Sequence, residues 1–449
     1  MRPAGNQTNS YPHRSSKGAI IAKETTHSTD VPQEKALLVG IERKNTNWPL
    51  EESLAELERL VDTDGAQVVG RLSQRLETPN PRTFIGKGKV TEVATAVKAL
   101  EADVVVFDDE LTPTQQANLE KEIPKVKIID RTALILDIFA LHATSREGRL
   151  QVRLAQNKYL LPRLRGMWSH LAANRMGGGV GSRFGEGESQ LEVDRRMVRK
   201  RIGHILAELQ KVQEERATQR KARFKATLFK VALAGYTNAG KSSLLNLLTG
   251  AEALAYDKLF ATLDSTTRKL VLPEGRELTL TDTVGFIQKL PTTLIEAFKS
   301  TLDEISNADL ILHVVDSSAQ QQDAQMQAVL DILEQIGAHT IPQVVVFNKC
   351  DLLDNAALDS LRFRYPQALF ISARTGSGVD TVLDRIQQTV NATSTLLKVA
   401  IPFDQGRLVQ LAHERCTIIS EDFTEEGTIL QLQIPEILVS RFKPYQVKV

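Results

Sequence analysis

An apolar stretch, Val231-Ala232-Leu233-Ala234, runs directly into Gly235-Tyr236-Thr237-Asn238-Ala239-Gly240-Lys241-Ser242, and a helical pattern follows from Ser243 to Leu248. Strand, glycine-bearing turn and helix in this order make a complete phosphate-binding P-loop. Its backbone N–H groups can curl around a β-phosphate, and the helix N-terminus adds a partial positive charge. In this arrangement Lys241 reaches the β/γ oxygens and Ser242 ligates Mg2+. Strand and helix patterns alternate from about residue 226 to 392, so this part reads as a Rossmann-like α/β P-loop domain with a mostly parallel sheet.

Further motifs fall at the spacings that the P-loop demands. Asp282-Thr283-Val284-Gly285 follows the strand Leu278–Thr281, about forty residues downstream. Asp282 sits where a carboxylate holds Mg2+ through water, and Gly285 can offer its N–H to a γ-phosphate because no Cβ blocks approach. Asn348-Lys349-Cys350-Asp351 ends the strand Val344–Phe347. A carboxylate there accepts both guanine N1–H and N2–H2, donors that adenine lacks, so GTP is preferred over ATP. Lys349 lies against the base, and Asn348 braces the P-loop. Ile371-Ser372-Ala373 follows the strand Ala368–Phe370, and its backbone N–H groups can meet guanine O6, with Arg374 next to the base site. Phe260-Ala261-Thr262-Leu263-Asp264-Ser265-Thr266-Thr267-Arg268 must supply a switch threonine for Mg2+, and spacing leaves Thr262, Thr266 and Thr267 open. Phe286 stands where many G proteins place a water-orienting Gln; it cannot hydrogen-bond water, so unaided hydrolysis is expected to be slow, and a core-packing role is compatible with this.

The remaining sequence sets the organisation. A chain of 449 residues has room for about three domains. Apolar content of 42% and charged content of 25% are those of a soluble globular protein. Net charge is +1, so a basic surface must be local. The two cysteines, Cys350 and Cys416, form no disulfide framework or metal spacing, which fits a reducing cytoplasm. No apolar run approaches the roughly 20 residues of a membrane span. Residues 1–35 read as a disordered tail. Residues 36–148 read as an N-terminal α/β domain, with strands at Ala36–Ile41, Ala66–Val69, Asp103–Phe107 and Val126–Ile129 and helices at Leu50–Val61, Val90–Leu100 and Pro113–Ile123. Asp108, Asp109 and Glu110 end a strand, as a metal or nucleotide site or as a solvated acidic turn.

Residues 149–225 read as a coiled-coil-like helical hairpin. Leu191, Val198, Ile202, Ile205, Leu209 and Val212 repeat at seam spacing, and Leu154, Leu161, Leu164, Trp168 and Leu171 share the rhythm, with a kink expected at Pro162. Met176–Gly187 is rich in glycine and reads as a flexible tip loop. Residues 396–449 read as a small α+β domain: a strand at Leu397–Ile401, a helix near Gly406–Glu414, then a hairpin from Cys416–Ile419 and Thr428–Ile434.

Taken together, the P-loop, Phe260–Asp264 and Asp282–Phe286 resemble the HflX-type ribosome-associated GTPases. So do Gly86–Val90, Phe107–Leu111, Ile129–Thr132, Leu136–Phe139 and Gly187–Glu192. The resemblance covers about residues 36–445, with departures at Glu186 and Ser189. It implies a GTPase that binds the large ribosomal subunit and its rRNA and splits stalled or idle ribosomes under stress. It points to Thr262, with Ser242, as the Mg2+ residues, and to Lys241, Thr262 and Gly285 as the groups nearest the chemistry. In P-loops similar to this one, an Asn at position 238 helps hold K+; an Asn that only braces the loop is the other reading. The family has been linked to ATP use, but no second P-loop is seen. A monomer without membrane insertion is expected.

From Arg195 to Lys225, eleven residues are Lys or Arg against Glu208, Glu214 and Glu215. With the glycine loop beside it, this stripe reads as a phosphate-backbone surface, to which Arg163, Arg165, Trp168, His170 and Arg183 can add contacts. The alternatives are an RNA-remodelling protein with a regulatory G domain, or a signalling GTPase with a non-ribosomal effector.

Overall fold

The computed structural model describes residues 33–44, 48–174, 184–223, 228–250, 259, 260, 262–291, 294, 295, 298–392 and 394–447. The tail before residue 33, the tip at 175–183 and Ala261 therefore lie outside the described residues. Three sheets are present among those described.

The first is four-stranded and parallel, ordered β2-β1-β3-β4, from β1 (Lys35–Glu42), β2 (Gln67–Arg75), β3 (Val104–Phe107) and β4 (Lys127–Asp130). Ala36 to Ile41 are all buried, as helices on both faces of a parallel sheet require. Those helices are α1 (Leu50–Asp64), α2 (Lys87–Leu100), α3 (Pro113–Glu122) and α4 (Arg131–His142). Thr112 and Gln115 close a capping box ahead of Pro113, which fixes where α3 starts. Helix α4 carries no distinct helical signature in the sequence. Its apolar run Leu134–Phe139 matches a buried strand as well as a buried helix; the Asp130 side chain, accepting from Ala133 N, starts the helix.

The hairpin follows as α5 (Arg146–Asn174) and α6 (Phe184–Arg223). Leu150 and Leu154 pack with Ile205 and Leu209, flanked by Ile202 and Val212, so the seam forms where its spacing predicts. The helical assignment of α5 continues through Pro162. Gly185 and Gly187 lie in the first turn of α6 rather than in a loop. At about 1 kcal/mol each relative to alanine, glycines are tolerated at the end of a 40-residue helix.

The second sheet is ordered β10-β9-β8-β5-β7-β6, from β5 (Phe229–Gly235), β6 (Thr266–Val271), β7 (Glu277–Asp282), β8 (Leu310–Asp316), β9 (Gln343–Asn348) and β10 (Leu369–Phe370). Only the β6–β7 pair is antiparallel. Helix α7 (Lys241–Thr249) leaves the end of β5, so the P-loop, Asp282, Asn348 and Ser372 gather beyond the carboxyl ends of neighbouring strands. The third sheet is antiparallel, β11-β13-β12, from β11 (Ser394–Pro402), β12 (Thr417–Phe423) and β13 (Gly427–Pro435), packed on helix Gly406–Arg415.

Candidate functional site

The P-loop is pinned at both ends. Thr237 N donates to Phe286 O at 2.7 Å and Phe286 N to Gly235 O at 3.1 Å, so the loop and the segment after Gly285 are hydrogen-bonded side by side. A Cβ on Gly285 would lie 2.8 Å from Thr237 Cα and 3.2 Å from Lys241 Nζ; only glycine permits this approach. Asn348 donates through Nδ2 to Ala239 O at 2.9 Å and accepts from Ala373 N at 2.8 Å, joining the P-loop to the strand end that carries Ser372. Ser372 Oγ donates to Asp351 Oδ1 at 2.6 Å, which orients that carboxylate. Lys349 pairs with Asp316 at 2.8 Å. Cys350 N donates to Ile371 O, and Arg374 is exposed.

Lys241 is buried, and its ammonium donates to Gly235 O at 3.1 Å and Tyr236 O at 2.9 Å. Burial lowers its pKa to about 8, with the Asp282 carboxylate opposing the fall. Ser242 Oγ lies 2.8 Å from Thr262 Oγ1 and 2.6 Å from Asp282 Oδ2. Of the three candidate threonines, Thr262 joins the cluster, whereas Thr266 and Thr267 belong to β6 and Thr267 meets Thr281 instead. Asp282 Oδ1 and Thr237 Oγ1 are buried with no hydrogen-bond partner among the described residues. Two hydroxyls and a carboxylate with an orphaned oxygen are the hard donors that Mg2+ and its waters take, so these residues fit that ion. Burial raises the pKa of Asp282, a cost that a cation beside it would remove.

The relatives of the chain match along most of its length. It is 46% identical over 402 residues to "GTPase HflX" of Caldanaerobacter subterraneus subsp. tengcongensis, covering 90% of this chain and 91% of that protein. It is 41% identical over 387 residues to "GTPase HflX" of Escherichia coli K12, covering 86% and 90%. The chain belongs to the HflX GTPase family. Family models described as GTP-binding GTPase N-terminal, GTP-binding GTPase middle region and 50S ribosome-binding GTPase match residues 51–140, 142–223 and 230–349. A GTP-binding protein from Sulfolobus solfataricus, solved with GDP, is 24% identical with a TM-score of 0.40, covering 80% of this chain and 98% of its own. As an HflX-family protein the chain binds GTP and GDP and hydrolyses GTP.

Several predicted residues of this HflX-family site turn away from the phosphate cradle. Phe260 and Leu263 are buried in the cluster that contains Phe139, with Phe260 edge-on to it at 4.7 Å. Asp264 bonds to Thr144 and Ser145. Thr283 Oγ1 donates to Leu233 O, and Val284 and Phe286 are buried. Tyr236 follows Gly235, yet its hydroxyl donates to Glu56 Oε1 at 2.5 Å and accepts from Gln288 N at 2.7 Å. Burial, then the Glu56 charge, raises its pKa well above the ordinary range. Asp108 is neither solvated nor grouped with other metal ligands among the described residues. It is fully buried, bonded to Arg131 at 2.8 Å, Ser53 at 2.6 Å and Lys289 at 2.5 Å, and Arg131 also pairs with Glu56. No pattern in the sequence signals this network, because partners such as Gln288, whose Nε2 donates to Ser53 Oγ, are 235 residues apart.

Proposed function

We propose that this GTPase binds the large ribosomal subunit through rRNA in the cytoplasm and uses GTP to time the dissociation of stalled or idle ribosomes under stress. The observation that carries the reading is the outer face of α6. There Arg196, Arg199, Lys200, Arg201 and Lys211 are exposed, outside the buried seam of Ile205 and Leu209. A rigid helix presenting cations on one side suits contact with phosphate backbone. The described name of the model matching residues 230–349, 50S ribosome-binding GTPase, supports the same partner. Arg163 is not part of that surface: it is buried over the Tyr159 ring at 3.5 Å and donates to Leu111 O at 2.6 Å. The side chains of Arg165, Trp168, His170 and Arg183 lie outside the described residues.

At the nucleotide, Ser242 and Thr262 would hold Mg2+ directly and Asp282 through water; the ion would neutralise charge on the β/γ oxygens. Lys241 would add its ammonium there, and Gly285 N–H would meet the γ-phosphate. Phe286 is 1% exposed and packs in the core, so this position supplies no group to orient water. Slow hydrolysis alone and stimulation by the ribosome follow.

Reversing Arg196, Arg199, Lys200 and Arg201 to Glu is expected to abolish co-sedimentation with large subunits and the ribosome-stimulated rate while leaving basal hydrolysis within about twofold. Unchanged sedimentation would move the RNA contact elsewhere. K+ is a further candidate at Asn238, which sits in the first turn of the P-loop at φ 61°. Exchanging K+ for Na+ is expected to slow hydrolysis several-fold, by roughly 1 kcal/mol of barrier; equal rates in both salts would discard the cation.

A further inference from the structure

Thr262 can serve Mg2+ only if the segment around it is held in place, and the holding groups come from outside the G-domain sheet. Asp264 lies two residues after Thr262. Its Oδ2 accepts from Thr144 N at 3.0 Å, Thr144 Oγ1 at 2.8 Å and Ser145 N at 2.7 Å, and its Oδ1 accepts from Ser145 Oγ at 2.5 Å. Burial works against the charged form, yet the hydrogen bonds from Ser145 and Thr144 hold this carboxyl below the usual range. Ser145 is the N-cap of α5: its Oγ accepts from Gly148 N at 2.8 Å and its carbonyl from Arg149 N at 3.1 Å. The carboxylate thus sits at the positive end of a 29-residue helix. Gly148 makes the approach possible, because a Cβ there would collide with Asp264 Oδ1. Phe260 and Leu263 are anchored in the same direction by burial.

We propose that Thr144 and Ser145 are positioning residues for GTP hydrolysis: acting through Asp264, they hold Thr262 beside Ser242 and tie the switch to the first turn of the hairpin helix α5. This rests on the reading of Thr262 as a Mg2+ ligand. Ordering a loop residue costs conformational entropy, and four hydrogen bonds to a fixed helix start remove that cost before nucleotide arrives. Coupling of this kind is reciprocal, so a partner that grips the hairpin and shifts the start of α5 is felt at Thr262, and GTP is felt at the hairpin.

The test uses the full chain with Thr144→Val/Ser145→Ala, and separately Gly148→Ala, which adds a methyl group against Asp264 but favours the helix by propensity. In both, affinity for a non-hydrolysable GTP analogue with Mg2+ is expected to fall about tenfold and turnover about ten- to a hundredfold, with GDP affinity unchanged. Ser145→Thr, which keeps the hydroxyl, is expected to behave like the parent. Without nucleotide, amide exchange at Leu263 and Asp264 is expected to quicken in both variants. Thr262→Ala separates the two readings. If it leaves analogue affinity intact, the Mg2+ role of Thr262 fails. If it weakens the analogue while both other variants bind it as the parent does, or lose GDP and analogue equally, the positioning role is overturned and the Mg2+ assignment stands.

Discussion

Lys241→Ala abolishes tight GTP binding with Mg2+ and turnover, on the order of 10^3-fold or more, because it removes the one full positive charge that the loop itself brings to the phosphates. The ammonium is buried and already directed at the loop by Gly235 O and Tyr236 O. Ser242→Ala has a similar outcome, since Ser242 Oγ bridges Thr262 and Asp282. Nucleotide titration and phosphate release measure both; persisting turnover in both variants would place the site elsewhere. The lysine also sets a pH dependence. Its pKa in the free protein is about 8, and a bound triphosphate requires the charged form. Binding therefore takes up a proton above that pH, and affinity at pH 9 is about tenfold weaker than at pH 7. Calorimetry in two buffers of different ionisation enthalpy reads the uptake. Stability of the free protein moves the other way. A lysine with a depressed pKa weighs against folding while charged, and that weight lifts as pH rises above about 8.

Asp351→Asn shifts preference from GTP toward xanthosine triphosphate by on the order of 10^3-fold. The aspartate offers two acceptor oxygens to the paired donors of guanine, whereas the amide turns one of them into a donor, which suits the carbonyl at the xanthine 2-position. Ser372 Oγ, 2.6 Å from Asp351 Oδ1, holds the side chain so that the exchange is felt at the base rather than absorbed by rotation. Competition between the two triphosphates is the measurement, and an unchanged GTP affinity in the variant would remove the guanine-reading role from Asp351.

The hairpin shows how far pattern alone reaches. Ile205 and Leu209 recur at seam spacing and are buried against Leu150 and Leu154. Arg163, expected to add to the basic surface, is instead buried on Tyr159 and Asp130, because a guanidinium with several fixed acceptors is satisfied inside the protein. Asp108 was legible as the end of a strand, not as the centre of a buried ionic network, since Arg131, Ser53 and Lys289 lie on separate elements. For α4, composition left strand and helix balanced until the Asp130 cap decided between them.

The P-loop, Asp282–Gly285, Asn348–Asp351 and the strand-helix alternation around them were readable because their chemistry depends on neighbours a few residues away: a strand end, a glycine turn, a helix start. Spacing left three threonines open and the family resemblance pointed to Thr262; the tertiary structure brings Thr262, not Thr266 or Thr267, to Ser242. It alone turned Tyr236 toward Glu56, 180 residues away, and Asp264 toward Thr144, 120 residues away. A hydrogen bond across such a separation leaves no period in the chain. It exists only once two cores have packed and buried groups have been forced to find whatever partners the packing brings within reach.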